Sequence, residues 1–214
     1  MKNQFKTSDK NNKAKQKRQQ PLFPHGDWIA LILGVTVLSQ SEGMGHHLGH
    51  AGIFFLMLAL IARPIRGLWQ QPLKHRRAIG IFAFAATLAH AIYAFCHVLN
   101  YDPKIILDMT SRHKWGMVAG IIALTVITPA AVTSFRLFQQ KLGKKWRQIH
   151  LLSVPALALA VLHTVLIGPH YMAQFQIEIT DHLRTYAIVI VTLLVFLVRR
   201  KMFWSVLRFL KIIN

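Results

Sequence analysis

The chain has few acidic residues and almost no cysteine. Its 214 residues include 7 Asp and Glu against 26 Lys and Arg, and only 15% are charged, compared with about a quarter in a typical globular domain. The single cysteine, Cys96, excludes an internal disulfide, and the Cys-x-x-Cys-His motif that attaches a cofactor covalently is absent. No Gly-rich dinucleotide fingerprint is present and no soluble domain follows the last apolar stretch, so we expect no NAD or FAD site within the chain.

The positive charge lies in short clusters between long apolar runs. Hydrophobic residues make up 53% of the chain, whereas a soluble nucleic-acid binder spreads its cations over an otherwise polar surface. This pattern indicates an integral membrane protein embedded in a lipid bilayer and no nucleic-acid partner. Membrane spans need about 17–25 residues, and in lipid a lone strand cannot satisfy its backbone, so we predict helices. The six predicted spans are 25–42, 48–65, 78–99, 114–134, 148–168 and 183–199.

The distribution of Lys and Arg predicts the orientation of these helices. In a six-helix arrangement, 22 of the 26 Lys and Arg fall on one side, within residues 1–20, 63–77, 136–147 and 199–211. Cytoplasmic loops collect such residues, so we predict that both termini are cytoplasmic. The fold class is therefore an all-α, six-transmembrane-helix bundle in a bacterial-type inner membrane.

Three regions follow from composition. Residues 1–21 are basic and almost devoid of apolar side chains, and are predicted to form a disordered cytoplasmic tail. Residues 22–200 form the six-helix domain. Residues 201–214 are basic and aromatic-rich, which favours an interfacial helix on the anionic inner leaflet, with a frayed extension of the sixth helix as the alternative.

Three of the 12 histidines lie where imidazoles are costly unless they have a partner. His90 is about 18 Å deep in the third span. His163 lies in the parallel fifth span, at a similar depth, between the depths of His90 and His97. One axial imidazole from each helix could therefore hold a porphyrin between them, although a hydrogen bond to a hydroxyl or backbone carbonyl would also satisfy either ring. His150 precedes His163 by 13 residues, which leaves the two about 140° apart around a straight helix unless Pro155 kinks or rewinds it.

The segment around His150 resembles a known signature. Leu142–His150 followed by His163 is similar to the "LG-x-x-W-x-x-LH … H" pattern of the ferric-reductase-like transmembrane domain, and within it to the MsrQ-type haem-binding subunits of periplasmic methionine sulfoxide reductase systems. The resemblance covers roughly residues 48–200. Weaker agreement is found at Ala62-Arg63-Pro64, Gln71-Pro72-Leu73, Arg76-Arg77 with Gly80, and Thr87-Leu88-Ala89-His90.

The resemblance implies a b-type cytochrome that carries electrons across the membrane, as an electron-transfer subunit rather than a stand-alone enzyme. It implies a cytoplasmic flavin reductase or the quinone pool as donor, and a periplasmic redox protein as acceptor. His90 falls on the family's helix-three haem ligand, and His150 and His163 on its helix-five pair. Two-haem relatives place a further histidine where this chain has Arg76, so the resemblance implies one haem b, or two if a residue such as His75 substitutes.

The resemblance also makes FMN a candidate cofactor. Arg76 and Arg77 have guanidinium groups suited to haem propionates or a flavin phosphate, and both are equally explained as topology anchors.

Two alternative functions remain open from the sequence. His46 and His50, at i and i+4 near the outer end of the second span, have the spacing of a metal site and could serve a direct ferric or cupric ion reductase. Interfacial imidazoles satisfied by water and headgroups are the favoured explanation of these residues. A non-redox membrane scaffold or sensor is the other alternative. Gly116 and Gly120 form a small-xxx-small pattern that predicts close helix packing.

Overall fold

The computed structural model describes residues 44–168 and 179–200, and within these ranges every regular element is helical. The α-helices, numbered in chain order, are α1 (Met44–Ile61), α2 (Gln71–Lys74), α3 (Arg76–Tyr93), α4 (Ile105–Asp108), α5 (Ser111–Val132), α6 (Arg136–Leu142), α7 (Lys144–Leu151), α8 (Ser153–Ile167) and α9 (Ile179–Arg199). A 3-10 turn (Pro64–Gly67) follows α1, and a π-helical turn (Ala94–Val98) continues α3. The predicted tail 1–21, the predicted first span 25–42 and the predicted interfacial tail 201–214 lie outside the described residues.

Four stretches of the described chain are long and apolar enough to cross a membrane. They are Arg76–Val98, Ser111–Val132, Lys144–Ile167 and His182–Arg199, and they match the last four predicted spans. The second predicted span, 48–65, corresponds to α1, whose apolar part His47–Ile61 is shorter. The described part of the chain is therefore all-helical and has spans typical of an integral membrane protein, while the six-span count and the cytoplasmic placement of the termini stay predictions.

The fifth predicted span consists of two helices joined at Leu152. The Leu152 N–H donates to Ile149 O at 3.1 Å, a tightened i→i−3 bond that ends α7. Pro155 has no N–H to bond with the carbonyl of Leu151, and a proline is tolerated in the first turn of the new helix α8. The interruption predicted at Pro155 therefore occurs three residues before it.

A glycine with a left-handed backbone separates α6 from α7. Gly143 has φ +50° and ψ −117°, which an L side chain adopts only with strain. Its N–H donates to Gln139 O at 3.3 Å and ends α6, and the chain then turns directly into α7. This turn gives a physical reason for the glycine of the Leu142–His150 signature.

Four of the long helices form a bundle in which α3 and α8 are diagonal. In the described part of the chain, α1 packs most extensively on α3 and α5 on α8, while smaller contacts join α1 to α8 and α3 to α5. Helix α9 packs outside this square, against α1 and α8. The largest fully buried side chains, Leu60 and Leu157, lie in the core cluster that α1, α3, α5, α8 and α9 share.

Two arginines anchor the carboxyl end of α1, where the last carbonyls of a helix lack intrahelical donors. Arg76 Nε donates to Ala59 O at 2.8 Å, and Arg199 Nη1 donates to Leu60 O at 3.1 Å. The beginning of α3 and the end of α9 are thereby tied to the same end of the bundle. The outward faces carry exposed apolar side chains such as Phe54, Ile121 and Leu193, as expected for a lipid-facing surface.

Candidate functional site

His90 of α3 and His163 of α8 meet across the centre of the bundle. Their ring centroids are 6.0 Å apart and their planes are inclined by 78°. Both rings are half-buried, and α3 and α8 come together here although they are diagonal in the bundle. The two histidines predicted at matching depth on parallel helices are therefore neighbours in the structure.

Each of these imidazoles is oriented by a backbone carbonyl of the adjacent helix. His90 Nδ1 lies 2.6 Å from Gly45 O of α1, and His163 Nδ1 lies 2.8 Å from Gly116 O of α5. A carbonyl oxygen can only accept, so Nδ1 must carry the proton and donate it in both hydrogen bonds. In a neutral imidazole the lone pair is then on Nε2, the tautomer that metal-ligating histidines adopt when their other nitrogen bonds to a carbonyl.

The separation of the two rings would allow a single metal ion to be bound by both, provided that both Nε2 atoms converge on it. Two metal–nitrogen bonds of about 2 Å each, together with the offset of each nitrogen from its ring centre, span about 6 Å. The 6.0 Å between the centroids matches this span. Ligation on opposite sides of a metal does not fix the rotation of the rings about the bond axis, so the 78° inclination is compatible with it.

The sequence did not reveal the two glycine carbonyls as part of the site. The sequence predicted only close helix packing for Gly116 and Gly120, and it predicted no role for Gly45. The signal that could have found them is a shared spacing, because Gly45 and Gly49 of α1 repeat the i, i+4 pattern of Gly116 and Gly120.

His150 is separate from this pair, at the other end of the same predicted span. Its ring stacks on Trp146 at 4.2 Å between centroids, and Trp146 Nε1 in turn donates to Thr133 O at 3.0 Å. The tryptophan of the signature therefore positions the histidine four residues later. His150 Nε2 is buried and has no hydrogen-bond partner within the described ranges.

Arg76 and Arg77 lie near His150, close enough for their charges to act on its ring. Arg76 also has the structural role at the end of α1 described above, since its Nε is bonded to Ala59 O. Two positive charges thus lie beside a histidine whose Nε2 has no hydrogen-bond partner among the described residues. The role of Arg76, Arg77 and His150 in binding a cofactor stays a prediction.

The outer metal site predicted at His46 and His50 is only partly described by the structure. Among the described side chains, no group of three or more His, Cys, Asp or Glu is arranged to hold a metal ion. His50 is half-buried, and the side chain of His46 lies outside the described part, so the predicted outer metal site stays a prediction. His97 is exposed and stacks on Tyr93 with 4.6 Å between ring centroids, away from the His90–His163 pair.

Comparison with known proteins defines the class of the protein. A profile described as "Ferric reductase like transmembrane component" matches residues 48–161, more than half of the chain, so the chain belongs to this family. The resemblance inferred from the Leu142–His150 signature is thereby confirmed.

Several relatives within this class carry a more specific name. Three proteins named protein-methionine-sulfoxide reductase heme-binding subunit MsrQ are similar to the chain. The one from Rhodospirillum rubrum is 34% identical over 139 residues, covering 58% of this chain and 61% of the relative. The one from Agrobacterium fabrum is 32% identical over 163 residues, covering 67% of this chain and 73% of the relative. The one from Brucella anthropi is 33% identical over 123 residues, covering 56% of this chain and 55% of the relative.

Proposed function

We propose that the chain is a membrane electron-transfer subunit that holds haem b between His90 and His163. The observation that carries this proposal is the placement of two imidazoles 6.0 Å apart on diagonal helices, each with its Nδ1–H bonded to a backbone carbonyl. The names of the MsrQ relatives, which describe them as heme-binding, support the same cofactor.

The residues fit such a group for three physical reasons. The Nε2 lone pairs of His90 and His163 supply two axial ligands, and the hydrogen bonds at Nδ1 fix their tautomer and increase their basicity. The surrounding helices provide an apolar, low-dielectric setting, which helps to set the reduction potential. When bound, haem supplies reversible one-electron transfer, and two histidine ligands leave its iron no open position for oxygen chemistry.

The direction of electron flow follows from the predicted topology. We infer that a cytoplasmic flavin reductase or a quinol of the membrane donates electrons near the basic loops 63–77 and 136–147. A redox protein at the outer face, such as a periplasmic methionine sulfoxide reductase, accepts them. The location in an inner membrane belongs to this proposal, as does the pairing with a reductase.

His150 is assigned to the donor side of the same proposal. Its buried Nε2 and the neighbouring charges of Arg76 and Arg77 form a polar cluster near the inner loops, suited to a propionate or phosphate group. FMN or a second haem is the candidate group for this cluster. Because Arg76 stands where a second histidine would be needed, we expect one haem and assign this cluster to the donor's cofactor.

The haem content of the purified protein tests the proposal. We expect a dithionite-reduced spectrum of low-spin haem b and a pyridine haemochrome assay close to one haem per chain, because one pair of axial histidines is assembled. A ratio close to two would assign His150 to a second haem. A colourless protein that takes up no added haemin would contradict the proposed function.

A further inference from the structure

Helix α1 approaches His90 so closely that a side chain at Gly49 would press on the imidazole ring. Gly45 O accepts the Nδ1–H of His90, and Gly49 lies one helical turn further along α1. A Cβ atom added at Gly49 would lie 3.1 Å from Nδ1 and 3.2 Å from Cε1 of His90, which is tighter than most real Cβ contacts. The ring therefore occupies the space that a side chain at position 49 would need.

Helix α5 repeats this arrangement at His163. Gly116 O accepts the Nδ1–H of His163, and Gly120 follows one helical turn later. A Cβ atom at Gly120 would lie 2.7 Å from Nδ1 and 3.0 Å from Cε1 of His163, a separation that requires one of the two groups to move. Neither contact can be relieved by a flexible side-chain end, because both imidazole rings are held in place by hydrogen bonds.

The side chains that pack on Gly45 and Gly116 come from the turn that follows each histidine. An added Cβ atom at Gly45 would meet Tyr93, three residues after His90, and one at Gly116 would meet Ile167 and then Leu166, four and three residues after His163. The α1–α3 pair and the α5–α8 pair thus share one local arrangement, in which two glycines four residues apart face an imidazole. The first glycine contributes its carbonyl and the second the space left by its missing Cβ.

We propose that Gly49 and Gly120 are positioning residues that fix the two axial imidazoles of the haem. This inference rests on the proposed function, in which His90 and His163 ligate one iron. Metal–ligand distances tolerate deviations of only about 0.2 Å. A methyl group at either glycine therefore displaces the adjacent imidazole by enough to weaken or break its bond to iron.

The variants Gly49→Ala and Gly120→Ala test this proposal in the purified haem-loaded protein. Loss of one axial ligand opens a coordination position, so we expect each variant to bind carbon monoxide after dithionite reduction, with the reactive fraction increased about fivefold or more over wild type. The ferric spectrum and electron paramagnetic resonance should shift from low spin toward high spin. Added imidazole should restore the low-spin spectrum by occupying the opened position.

Two matched glycines separate ligand positioning from helix packing. Gly52 lies on α1 and also faces α3, but a Cβ atom there would meet the Thr87 hydroxyl instead of an imidazole. Gly52→Ala is therefore expected to lower thermal stability without producing carbon monoxide binding. Gly80→Ala, with nothing within 4 Å of the added Cβ, is expected to behave as wild type in both measurements.

The possible outcomes distinguish this inference from the proposed function. Wild-type spin state and carbon monoxide reactivity in both Gly49→Ala and Gly120→Ala would overturn the inference alone. The inference would also be overturned if Gly52→Ala gave the same carbon monoxide reactivity as Gly49→Ala and Gly120→Ala. It would be overturned as well if neither Gly49→Ala nor Gly120→Ala could be purified as folded protein while Gly52→Ala could, since Gly49 and Gly120 would then be needed for folding. A full haem spectrum in both His90→Ala and His163→Ala would overturn the inference and the proposed function together.

Discussion

Replacing either His90 or His163 with alanine is expected to abolish the low-spin haem absorbance of the purified protein. Each variant removes one of the two proposed iron ligands, and the Gly45 and Gly116 carbonyls, which bond to the Nδ1 side of the rings, cannot replace it. We expect haem per chain to fall about tenfold or more, since the second ligand alone binds iron weakly in an apolar site. The measurement is the pyridine haemochrome content per mole of purified chain.

His97→Ala is the matched control for these variants. It removes an imidazole from the π-helical turn that continues α3, but this ring is exposed and stacks on Tyr93. We expect an unchanged haem content and spectrum. If His97→Ala lost the haem while His90→Ala kept it, the assignment of the site would be wrong.

Replacing Lys141, Lys144 and Lys145 together with glutamine is expected to slow haem reduction by a cytoplasmic flavoprotein donor. All three side chains are exposed; Lys141 lies in α6, and Lys144 and Lys145 lie in the first turn of α7, the helix that carries His150. Clustered charges steer an oppositely charged partner and raise association rates by about 10- to 1000-fold. Removing three of them should lower the second-order reduction rate about tenfold at low ionic strength, measured by stopped-flow spectroscopy.

The salt dependence of the reduction rate and a control variant test whether charge steering is the cause. The difference between wild type and the triple variant should shrink as ionic strength increases, because salt screens exposed charges. Lys104→Gln, in the loop predicted to lie on the opposite side, should not affect the rate. Equal rates for wild type and triple variant with the flavoprotein at low salt would exclude this docking surface and favour a quinol donor.

The sequence predicted the helices and the central histidine pair because both depend on simple one-dimensional quantities. Apolar length located the spans around His90 and His163, and the rise per residue placed the two rings at a similar depth. The distribution of Lys and Arg predicted the orientation of the helices in the membrane, which the packing of the helices on one another does not test. The family was recognisable from the Trp146 and His150 spacing, which is short and local.

The relation between His150 and His163 could not be predicted in the same way. A straight helix would separate them by about 140°, and the effect of Pro155 on that angle depends on where the backbone ends one helix and begins the next. The structure places this interruption at Leu152, through a tightened turn that neither residue type nor hydropathy indicates. The sequence therefore identified both histidines and their separation along the helix axis, but not the break in the helix between them.

The amino-acid sequence by itself determined a basic, helical membrane protein with imidazoles buried at matching depths, because hydropathy, charge and helical rise are properties of residues along one chain. Only the tertiary structure decided that α3 and α8 are diagonal partners and that glycine carbonyls of α1 and α5 orient the two rings. These features depend on which helix faces are in contact. The effect of a glycine's missing Cβ can be seen only when the position of the neighbouring helix is known.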